Sequence, residues 1–502
     1  MKLIGIQRKN NSQQGKKNNS QDSLFMLQIA PFLGRGGRGR GLLLLFLCIT
    51  LFAVAQPPLR LPSIISDHAV LQQSSDVKLW GWASSGWPVK ISCSWNPTDT
   101  VFAQPGKDCA WSATVKTPKA GDATYFITFI SGQQKLTIHD ILIGEVWLCS
   151  GQSNMEYNFS WPQGVLDAGD AVAQSASKNI RFFQVARAYN NYPQTDCGGE
   201  WKVCSPETVK SMSVVGYFFG KKLNEVTKSP VGLIASYWGG TCVQAWIPGQ
   251  VLEQDTELAK MAAKVKPVSW APVESSVIYN AMLYPLIPYR IAGTIWYQGE
   301  ANTDNPEDYG KLFAGLIKGW REVFKNDFPF YFVQIAPWSG YGGISAALLR
   351  EQQEATLSLP KTGMVVVGDL VDNVKDIHPR IKREVGSRLI NMVLKEQYGV
   401  NDLQPNFPHF ASFSVKKNKA IVTVTSIGKL SCKDKEITSF QIAGEDKKFY
   451  PATALIDKKG AIIVSAKEVA VPVAVRYCFT NDGMPNLFDV NGLPLLPFRT
   501  DK

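Results

Sequence analysis

The stretch "GEVWLCSGQSNMEY", residues 144–157, decides the fold, because an apolar run ends in it abruptly at small polar residues. Residues 146–149 are typical of a buried central strand, and residues 150–154 suit a tight turn. Ligands bind where the parallel strands of an open α/β sheet end, because loops and helix N-termini converge there. Ser153 is therefore predicted to lie at the carboxyl edge of a parallel sheet, and its alternative role is that of a helix cap.

Periodicity divides the chain beyond residue 55 into three parts. Residues 56–140 contain short alternating runs broken by Pro, Gly and Asn, which predict a small N-terminal β-sandwich. In residues 141–400, apolar strands alternate with helical stretches, which predicts an α/β fold with a three-layer α/β/α core. Residues 401–502 return to strand patterning and predict a C-terminal β domain. Core strands are expected near 143–149, 180–185, 231–236, 292–297, 330–335 and 364–368, and helices near 213–226, 305–324, 344–357 and 380–397.

The N-terminal segment is expected to be a leader and signal peptide, residues 1–55. Residues 42–55 form an apolar run of fourteen that follows an Arg- and Gly-rich stretch and ends in Ala-Val-Ala. The run is too short for an ordinary transmembrane helix. We expect a secreted or periplasmic protein that begins near Gln56 and has no membrane span after processing. The polar stretch before the run is long, so Met26 is an alternative start.

Charge and motif content argue against several classes of protein. The formal net charge is +11, but residues 1–57 hold eight Lys or Arg and one Asp, which leaves +4 for the rest. A net charge this small on a chain of this length does not indicate nucleic-acid binding. The sequence also lacks a Cys-x-x-Cys metal spacing and a Gly-x-x-x-x-Gly-Lys phosphate loop. We therefore expect no nucleic acid partner, no metal and no cofactor.

Eight cysteines remain after Cys48, which lies in the expected signal peptide. Export makes disulfides permissible, and two local pairs are open possibilities, Cys93 with Cys109 and Cys197 with Cys204. Spacing alone does not fix the connectivity.

Several separated segments resemble the SGNH hydrolases, and more narrowly the sialate O-acetylesterase family of carbohydrate esterases. They are "CSGQSNME" at 149–156, "GLIASYWGGTCVQAW" at 232–246, "IWYQGEANT" at 295–303 and "DIHPRIKREVGSRL" at 376–389. The resemblance extends over roughly residues 59 to 502. It implies an SGNH-like hydrolase core with flanking all-β domains. It also implies a secreted serine esterase that removes O-acetyl groups from sialic acids through an acetyl-serine intermediate, with Ser153 as the nucleophile.

A serine nucleophile needs a base, and only four histidines are present. His378 is the best placed, because it follows a predicted strand that ends near residue 368. Pro379 comes next and suits the first position of the predicted helix 380–397, which puts His378 at the same sheet edge as Ser153. The remaining three are expected to be structural or solvated: His68, His139 and His409.

Asp376 is the candidate that orients His378 by accepting its ring N–H. The common SGNH spacing is Asp-x-x-His, whereas Lys375 stands three residues before His378 in this chain. A backbone carbonyl is therefore an alternative partner of the histidine, with Asp376 capping the next helix. Asp369 and Asp372 are weaker candidates for the acid.

An acyl-transfer intermediate needs fixed donors for its negative oxygen. The backbone N–H of Ser153 is one candidate. The resemblance puts Gly240 at a second donor site, where a glycine lets the backbone approach closely. A third donor is expected from the side-chain amide of Asn302 or Gln298, and Asn302 is favoured because many SGNH enzymes use an asparagine.

Substrate contacts are expected from aromatic residues near the strand ends. Tyr157, Trp161, Trp238 and Trp246 are candidates for an apolar wall against a sugar, although aromatics at such positions are as often core. Glu300 is placed with them; its charge would repel an oxyanion, so it is expected to accept hydrogen bonds from the backbone or from the loop of Ser153. Two other functions stay open: an acetyl esterase for other glycans such as xylan, and an inert carbohydrate-binding protein.

Overall fold

The computed structural model describes residues 58–501. The predicted leader and the cleavage site near Gln56 lie outside this range. Within it, no helix is long and apolar enough to cross a membrane. The described chain has a mixed α/β fold with several sheets.

The described residues form strands and α-helices with the following bounds. The strands are β1 (Val70–Gln72), β2 (Asp76–Trp82), β3 (Val89–Cys93), β4 (Asn96–Ala103), β5 (Ala110–Lys116), β6 (Tyr125–Ser131), β7 (Gln134–Gly151), β8 (Ser177–Val185), β9 (Gly199–Cys204), β10 (Val231–Tyr237), β11 (Gly293–Tyr297), β12 (Phe330–Val333), β13 (Thr362–Val365), β14 (His409–Lys416), β15 (Lys419–Thr425), β16 (Ser431–Cys432), β17 (Phe440–Ala443), β18 (Phe449–Pro451), β19 (Thr453–Ile456), β20 (Ile462–Ser465), β21 (Ala474–Tyr477), β22 (Leu487–Phe488) and β23 (Phe498–Arg499). The α-helices are α1 (Ser153–Glu156), α2 (Val214–Thr227), α3 (Gly249–Gln254), α4 (Thr256–Ala262), α5 (Tyr309–Val323), α6 (Ser345–Ala355) and α7 (Arg383–Tyr398).

The central sheet has the strand order β13-β12-β11-β7-β10-β8-β9. Strand β7 lies in its middle and pairs in parallel with β10 on one side and β11 on the other. Ser150 is in register with Ser236 of β10 and with Trp296 of β11. Three parallel strands therefore end together at the edge where the turn before Ser153 begins.

Helices cover both faces of this sheet. Trp147 of β7 packs against Phe219 of α2, and α2 contacts α7 on the same face. Trp296 is in register with Ser150, three residues beyond Trp147, so it points to the opposite face. There it packs against Trp320 of α5. The apolar run that predicts β7 is thus buried from both sides.

The N-terminal strands are continuous with the central sheet. The first part of β7 pairs antiparallel with β6, and residues 145–151 pair in parallel with β10. One long strand therefore crosses position 140, and the N-terminal strands share an apolar core with the α/β region. The last hundred residues form antiparallel sheets, β14-β15-β20-β19 and β18-β17-β21-β23, around a second apolar core.

Each predicted core strand and helix overlaps an observed one, so the alternation seen in the sequence is confirmed. Several boundaries differ by a few residues: the strand expected at 364–368 is Thr362–Val365, and the α-helix expected at 305–324 begins at Tyr309. The helix expected at 380–397 begins at Arg383, and Pro379 lies before it. The carboxylate of Asp167 accepts the backbone N–H groups of Lys382 and Glu384, at 3.0 Å each, and this cap from a distant segment sets the start of α7.

The described cysteines are all free, so neither of the two local cysteine pairs forms a disulfide. Cys93 is buried on β3, whereas Cys109 lies in the turn before β5. The thiol of Cys204 points toward the carbonyl oxygen of Ser175, at 3.0 Å. Burial raises the pKa of the Cys93 thiol to about 12, so it behaves as a small apolar side chain.

Candidate active site

The turn after β7 is fixed by bonds to the loop that follows β11. Gly151 has a φ of +132°, and a Cβ there would collide with the backbone of Tyr297. Gln152 donates its backbone N–H to the carbonyl oxygen of Tyr297, at 2.9 Å. The side-chain oxygen of Gln152 accepts the N–H groups of Gly299 and Ala301, at 3.2 Å each. These contacts hold the next residue, Ser153, at the start of α1.

Ser153 and His378 meet although 225 residues separate them in the chain. The ring nitrogen Nε2 of His378 lies 2.9 Å from Oγ of Ser153. The pKa of His378 is lowered to about 4, first by burial and second by the charge of Lys382, while the charge of Asp376 opposes the shift. The imidazole is therefore neutral at neutral pH and can accept the serine proton. Trp161 packs against it in a T-shaped arrangement, with ring centroids 5.1 Å apart.

Asp376 lies beside the imidazole but makes no hydrogen bond to it. Its Oδ1 is 3.8 Å from Nδ1 of His378, and it accepts the backbone N–H of that residue at 2.9 Å. The alternative role as cap of the next helix is wrong, because Asp167 caps α7. The weaker candidates are paired with arginines, Asp369 with Arg388 and Asp372 with Arg380.

A cavity of about 590 Å³ opens beside Ser153 and His378. Gly240 lines it with a φ of +78°, a conformation that favours glycine. The neighbouring Gly239 donates its N–H to Oε2 of Glu156, at 2.8 Å. Because that N–H is engaged, Gly240 is the better placed donor of the pair for a group in the cavity.

The structure separates the two amide candidates. Asn302 lines the cavity, and its Nδ2 donates to Oε1 of Gln244 at 2.8 Å, which leaves its second N–H for a ligand. Gln298 is fully buried outside the cavity lining. Its amide nitrogen donates to the carbonyl oxygen of Thr241 and to Oδ1 of Asn302. Gln298 therefore supports Asn302 rather than facing the cavity.

A buried polar chain runs beneath the serine. Asn154 donates its side-chain N–H groups to Oε1 of Glu300, at 2.6 Å, and to the carbonyl oxygen of Ile377, at 3.1 Å. Its Oδ1 accepts Nζ of Lys382, at 2.6 Å. Burial raises the pKa of Glu300 and lowers that of Lys382 to about 7. Glu300 thus accepts a bond from the loop of Ser153, and Ile377 links the chain to the neighbouring His378.

Sequence reasoning singled out neither Asn154 nor Lys382. Both lie within the segments that carried the resemblance, so a search for polar residues one position beyond the serine, or four beyond the histidine, would have found them. Their importance comes from contacts between distant segments, which spacing does not reveal.

The aromatic candidates divide between core and surface. Tyr157 is buried and donates its hydroxyl to the carbonyl oxygen of Gly164, at 2.6 Å. Trp246 is fully buried too, and its indole N–H donates to Oγ1 of Thr241. Neither lines the cavity of Ser153, because each is packed into the core. Trp238 is partly exposed and lines a neighbouring cavity.

Trp270 lines the Ser153 cavity and escaped the sequence analysis. It lies in the Pro-containing loop segment "KPVSWAPV" and belongs to no motif, so the sequence does not mark it as functional. The structure does, because a large aromatic ring is exposed there. Within residues 58–501, no group of His, Cys, Asp and Glu side chains is arranged to hold a metal ion.

Comparison with known proteins identifies the family that the chain resembles. Residues 143–395 match the family described as carbohydrate esterase, sialic acid-specific acetylesterase. Sialate O-acetylesterase of Rattus norvegicus is 27% identical over 510 residues, covering 88% of this chain and 93% of the relative. The human enzyme (Homo sapiens) is 28% identical over 436 residues, covering 76% of this chain and 80% of the relative.

A solved structure is also similar over almost the whole described chain. The carbohydrate acetylesterase from Xanthomonas citri superposes with a TM-score of 0.78 and 34% identity. The alignment covers 88% of this chain and 100% of that protein. Because the family match spans half of the chain and contains Ser153 and His378, the chain belongs to the sialic acid-specific acetylesterase family of carbohydrate esterases and is a carboxylic ester hydrolase.

Proposed function

We propose that this protein removes O-acetyl groups from sialic acids, with Ser153 as nucleophile and His378 as base. The observation that carries the proposal is the 2.9 Å contact between Oγ of Ser153 and Nε2 of His378, at the edge of an open cavity. Family membership supports the sialic acid substrate, because the curated relatives are named sialate O-acetylesterases.

Acylation begins when Ser153 attacks the acetyl carbonyl while Nε2 of His378 takes the serine proton. The new negative oxygen is bound by the backbone N–H groups of Ser153 and Gly240 and by the free amide N–H of Asn302. Collapse of the intermediate breaks the ester bond, and His378 gives its proton to the departing sugar hydroxyl. The products of this step are the deacetylated sugar and an acetyl-serine.

Deacylation uses the same groups in the same order. Water loses a proton to His378 and attacks the acetyl-serine, and the oxyanion donors bind the second intermediate. Its collapse returns the proton to Ser153 and releases acetate. Asp376 stabilises the protonated imidazole by its charge in both halves, since its carboxylate lies 3.8 Å from the ring.

The test is acetate release by the purified protein from O-acetylated sialic acid and from acetylated xylan, with an aryl acetate as a general ester. We expect hydrolysis of the aryl acetate and faster release from sialic acid than from xylan. Ser153→Ala should abolish all three. Faster release from xylan would favour the alternative acetyl esterase, and no hydrolysis of any ester would favour the inert carbohydrate-binding protein.

For the architecture we propose an SGNH-like three-layer core flanked by β domains. Helix contacts on both faces of the central sheet support it. We further propose domains at 56–140, 141–400 and 401–502, after a leader at 1–55. The first boundary falls within β7, close to where the strand changes from antiparallel to parallel partners.

We also propose export of the mature chain. The apolar run at 42–55 and its Ala-Val-Ala end support this compartment. N-terminal sequencing of exported protein should give a start near Gln56, and an intact leader in a cytoplasmic fraction would contradict it.

A further inference from the structure

An exposed tryptophan stands at the mouth of the catalytic cavity. Trp270 is 70% exposed, on the loop of residues 265–274. Its indole covers Gly240, since a Cβ on that glycine would lie 2.9 Å from Cδ1 of Trp270. The ring therefore borders directly on the glycine that we assign to the oxyanion site.

The same indole also lines a second cavity of about 310 Å³, together with Trp238 and Tyr189. The rings of Tyr189 and Trp238 lie 6.3 Å apart, and Tyr189 is 62% exposed. Trp270 thus lies between two adjoining cavities and lines both of them, and one of the two contains the nucleophile.

Large aromatic rings exposed together beside a reactive site point to a ligand, because folding gains little from leaving them in water. The face of an indole carries partial negative charge and attracts the C–H edges of an apolar ligand surface. A pyranose ring presents such C–H groups on its faces, whereas its hydroxyls point outward. Trp270 is therefore suited to stack on a sugar whose ester lies over Ser153.

Lys266 supplies a charge in the same loop. It is exposed, lines the cavity of Ser153, and forms no ion pair with any residue in the range 58–501. Asp304 also lines this cavity and is suited to accept hydrogen bonds from sugar hydroxyls. Glu300 is the other carboxylate in the wall, but it is bonded to Asn154. Lys266 is thus a free cation that an anionic sugar can reach.

We infer that the loop of residues 265–274 is the sugar-recognition element of this esterase. Trp270 stacks on the pyranose ring, and Lys266 pairs with the carboxylate of an acidic sugar. The inference rests on the proposed function and extends it, because it names the residues that separate an acidic sugar ester from any other acetate ester.

Trp270→Ala tests the stacking when it is assayed on O-acetylated sialic acid and on an aryl acetate. Covering one face of an indole is worth on the order of tenfold in binding, so KM for the sugar should rise by about tenfold. Activity on the aryl acetate should fall less than activity on the sugar, and Trp270→Phe should restore most of the sugar affinity. Trp87→Ala is the matched control, because Trp87 is also an exposed indole that covers a glycine, Gly132, and it lies outside both cavities.

Equal losses on both substrates would overturn the stacking role, because Trp270 would then act only by supporting Gly240. An unchanged KM for the sugar would overturn it as well. If the wild-type protein hydrolyses the aryl acetate but no sugar acetate, the proposed function falls and the inference falls with it. If the wild-type protein hydrolyses the sugar acetate and Trp270→Ala does so with the same KM, the inference is wrong but the proposed function stands.

Lys266→Met tests the charge, with acetylated glucose as a neutral sugar. A solvent-exposed ion pair is worth little, so KM for O-acetylated sialic acid should rise by only about threefold, and the difference should vanish in high salt. KM for acetylated glucose should stay unchanged. Lys318→Met, an exposed lysine outside the cavity, is the control. A rise in KM for both sugars, or for neither, would contradict the pairing.

Discussion

The carboxylate of Asp376 lies 3.8 Å from Nδ1 of His378, while the backbone N–H of the same histidine donates to it at 2.9 Å. The aspartate therefore holds the loop that carries the imidazole and acts on the ring by charge. This arrangement differs from a triad in which the acid accepts the ring N–H. It follows from the spacing, since only Ile377 separates the two residues.

Asp376→Asn should lower kcat/KM by roughly tenfold to a hundredfold, less than the thousandfold or more expected when a bonded triad aspartate is lost. Asparagine keeps an oxygen for the backbone N–H but loses the charge that stabilises the imidazolium. Rates on an aryl acetate, compared with His378→Ala, measure the effect. A loss as large as that of His378→Ala would show that the ring and carboxylate bond in the substrate complex.

The wild-type enzyme should stay active well below neutral pH. The pKa of His378 is lowered to about 4, by burial first and by Lys382 second, so the imidazole stays neutral down to that range. The acid limb of kcat/KM, which reports the free enzyme, should therefore fall near pH 4. A limb near 6.5, the ordinary pKa of histidine, would contradict the burial effect.

The same shift predicts how stability depends on pH. Between about 4 and 6.5, the unfolded chain binds a proton at this histidine and the folded chain does not. The contribution of His378 to the free energy of unfolding therefore decreases as pH falls through that window. Denaturant melts of wild type and His378→Gln at about pH 7 and about pH 4.5 should show a smaller pH-dependent loss in the variant.

Asn302→Ala should mainly lower the catalytic rate, whereas Gln298→Ala should also lower stability. Asn302 lines the cavity with a free amide N–H, so its loss should lower kcat by on the order of a hundredfold with little change in KM. Gln298 is fully buried and bonds to Asn302, Thr241 and Tyr309, so its loss should lower the melting temperature as well. An unimpaired kcat in Asn302→Ala would remove it from the oxyanion site.

Gly240→Ala should impair catalysis without unfolding the chain. A Cβ at φ +78° is strained and would lie 2.9 Å from Trp270, so the backbone N–H should move away from the oxyanion. We expect kcat to fall about tenfold or more, because loss of one donor costs on the order of a hundredfold and this donor is displaced rather than removed. Gly342→Ala, where a Cβ meets nothing within 4 Å, is the control. Equal activity of both variants would contradict the assignment.

Local sequence predicted the central sheet well, because parallel strands such as β10 are short and buried along their whole length. The start of α7 was missed because Asp167, about 215 residues earlier, supplies its cap. The choice between Asn302 and Gln298 was also beyond the sequence. Both follow β11 closely, and only the packing of the loop decides which amide faces the cavity.

Lys382 is the charge that sequence reasoning overlooked, and it faces the site from beneath. Its Nζ donates to Asn154, and its buried amine lies over the rings of Tyr157 and Tyr297, 4.9 and 5.4 Å from their centroids. Four carboxylates act on it, in order of effect Glu300, Asp167, Asp376 and Asp372. Among residues 58–501, Lys382 and Asp376 are the charges that shift the pKa of His378, and they act in opposite directions.

Lys382→Met should therefore move the acid limb of kcat/KM to higher pH. Methionine keeps most of the length of lysine but has no charge, so the imidazolium of His378 becomes easier to form. Since Asn154 loses one bond and Glu300 loses a nearby cation, kcat at the optimum and the melting temperature should both fall. Lys375→Met, an exposed lysine three residues before His378, should leave the limb in place. If both variants keep the wild-type limb, the charge of Lys382 does not reach the histidine, and its role is confined to holding Asn154.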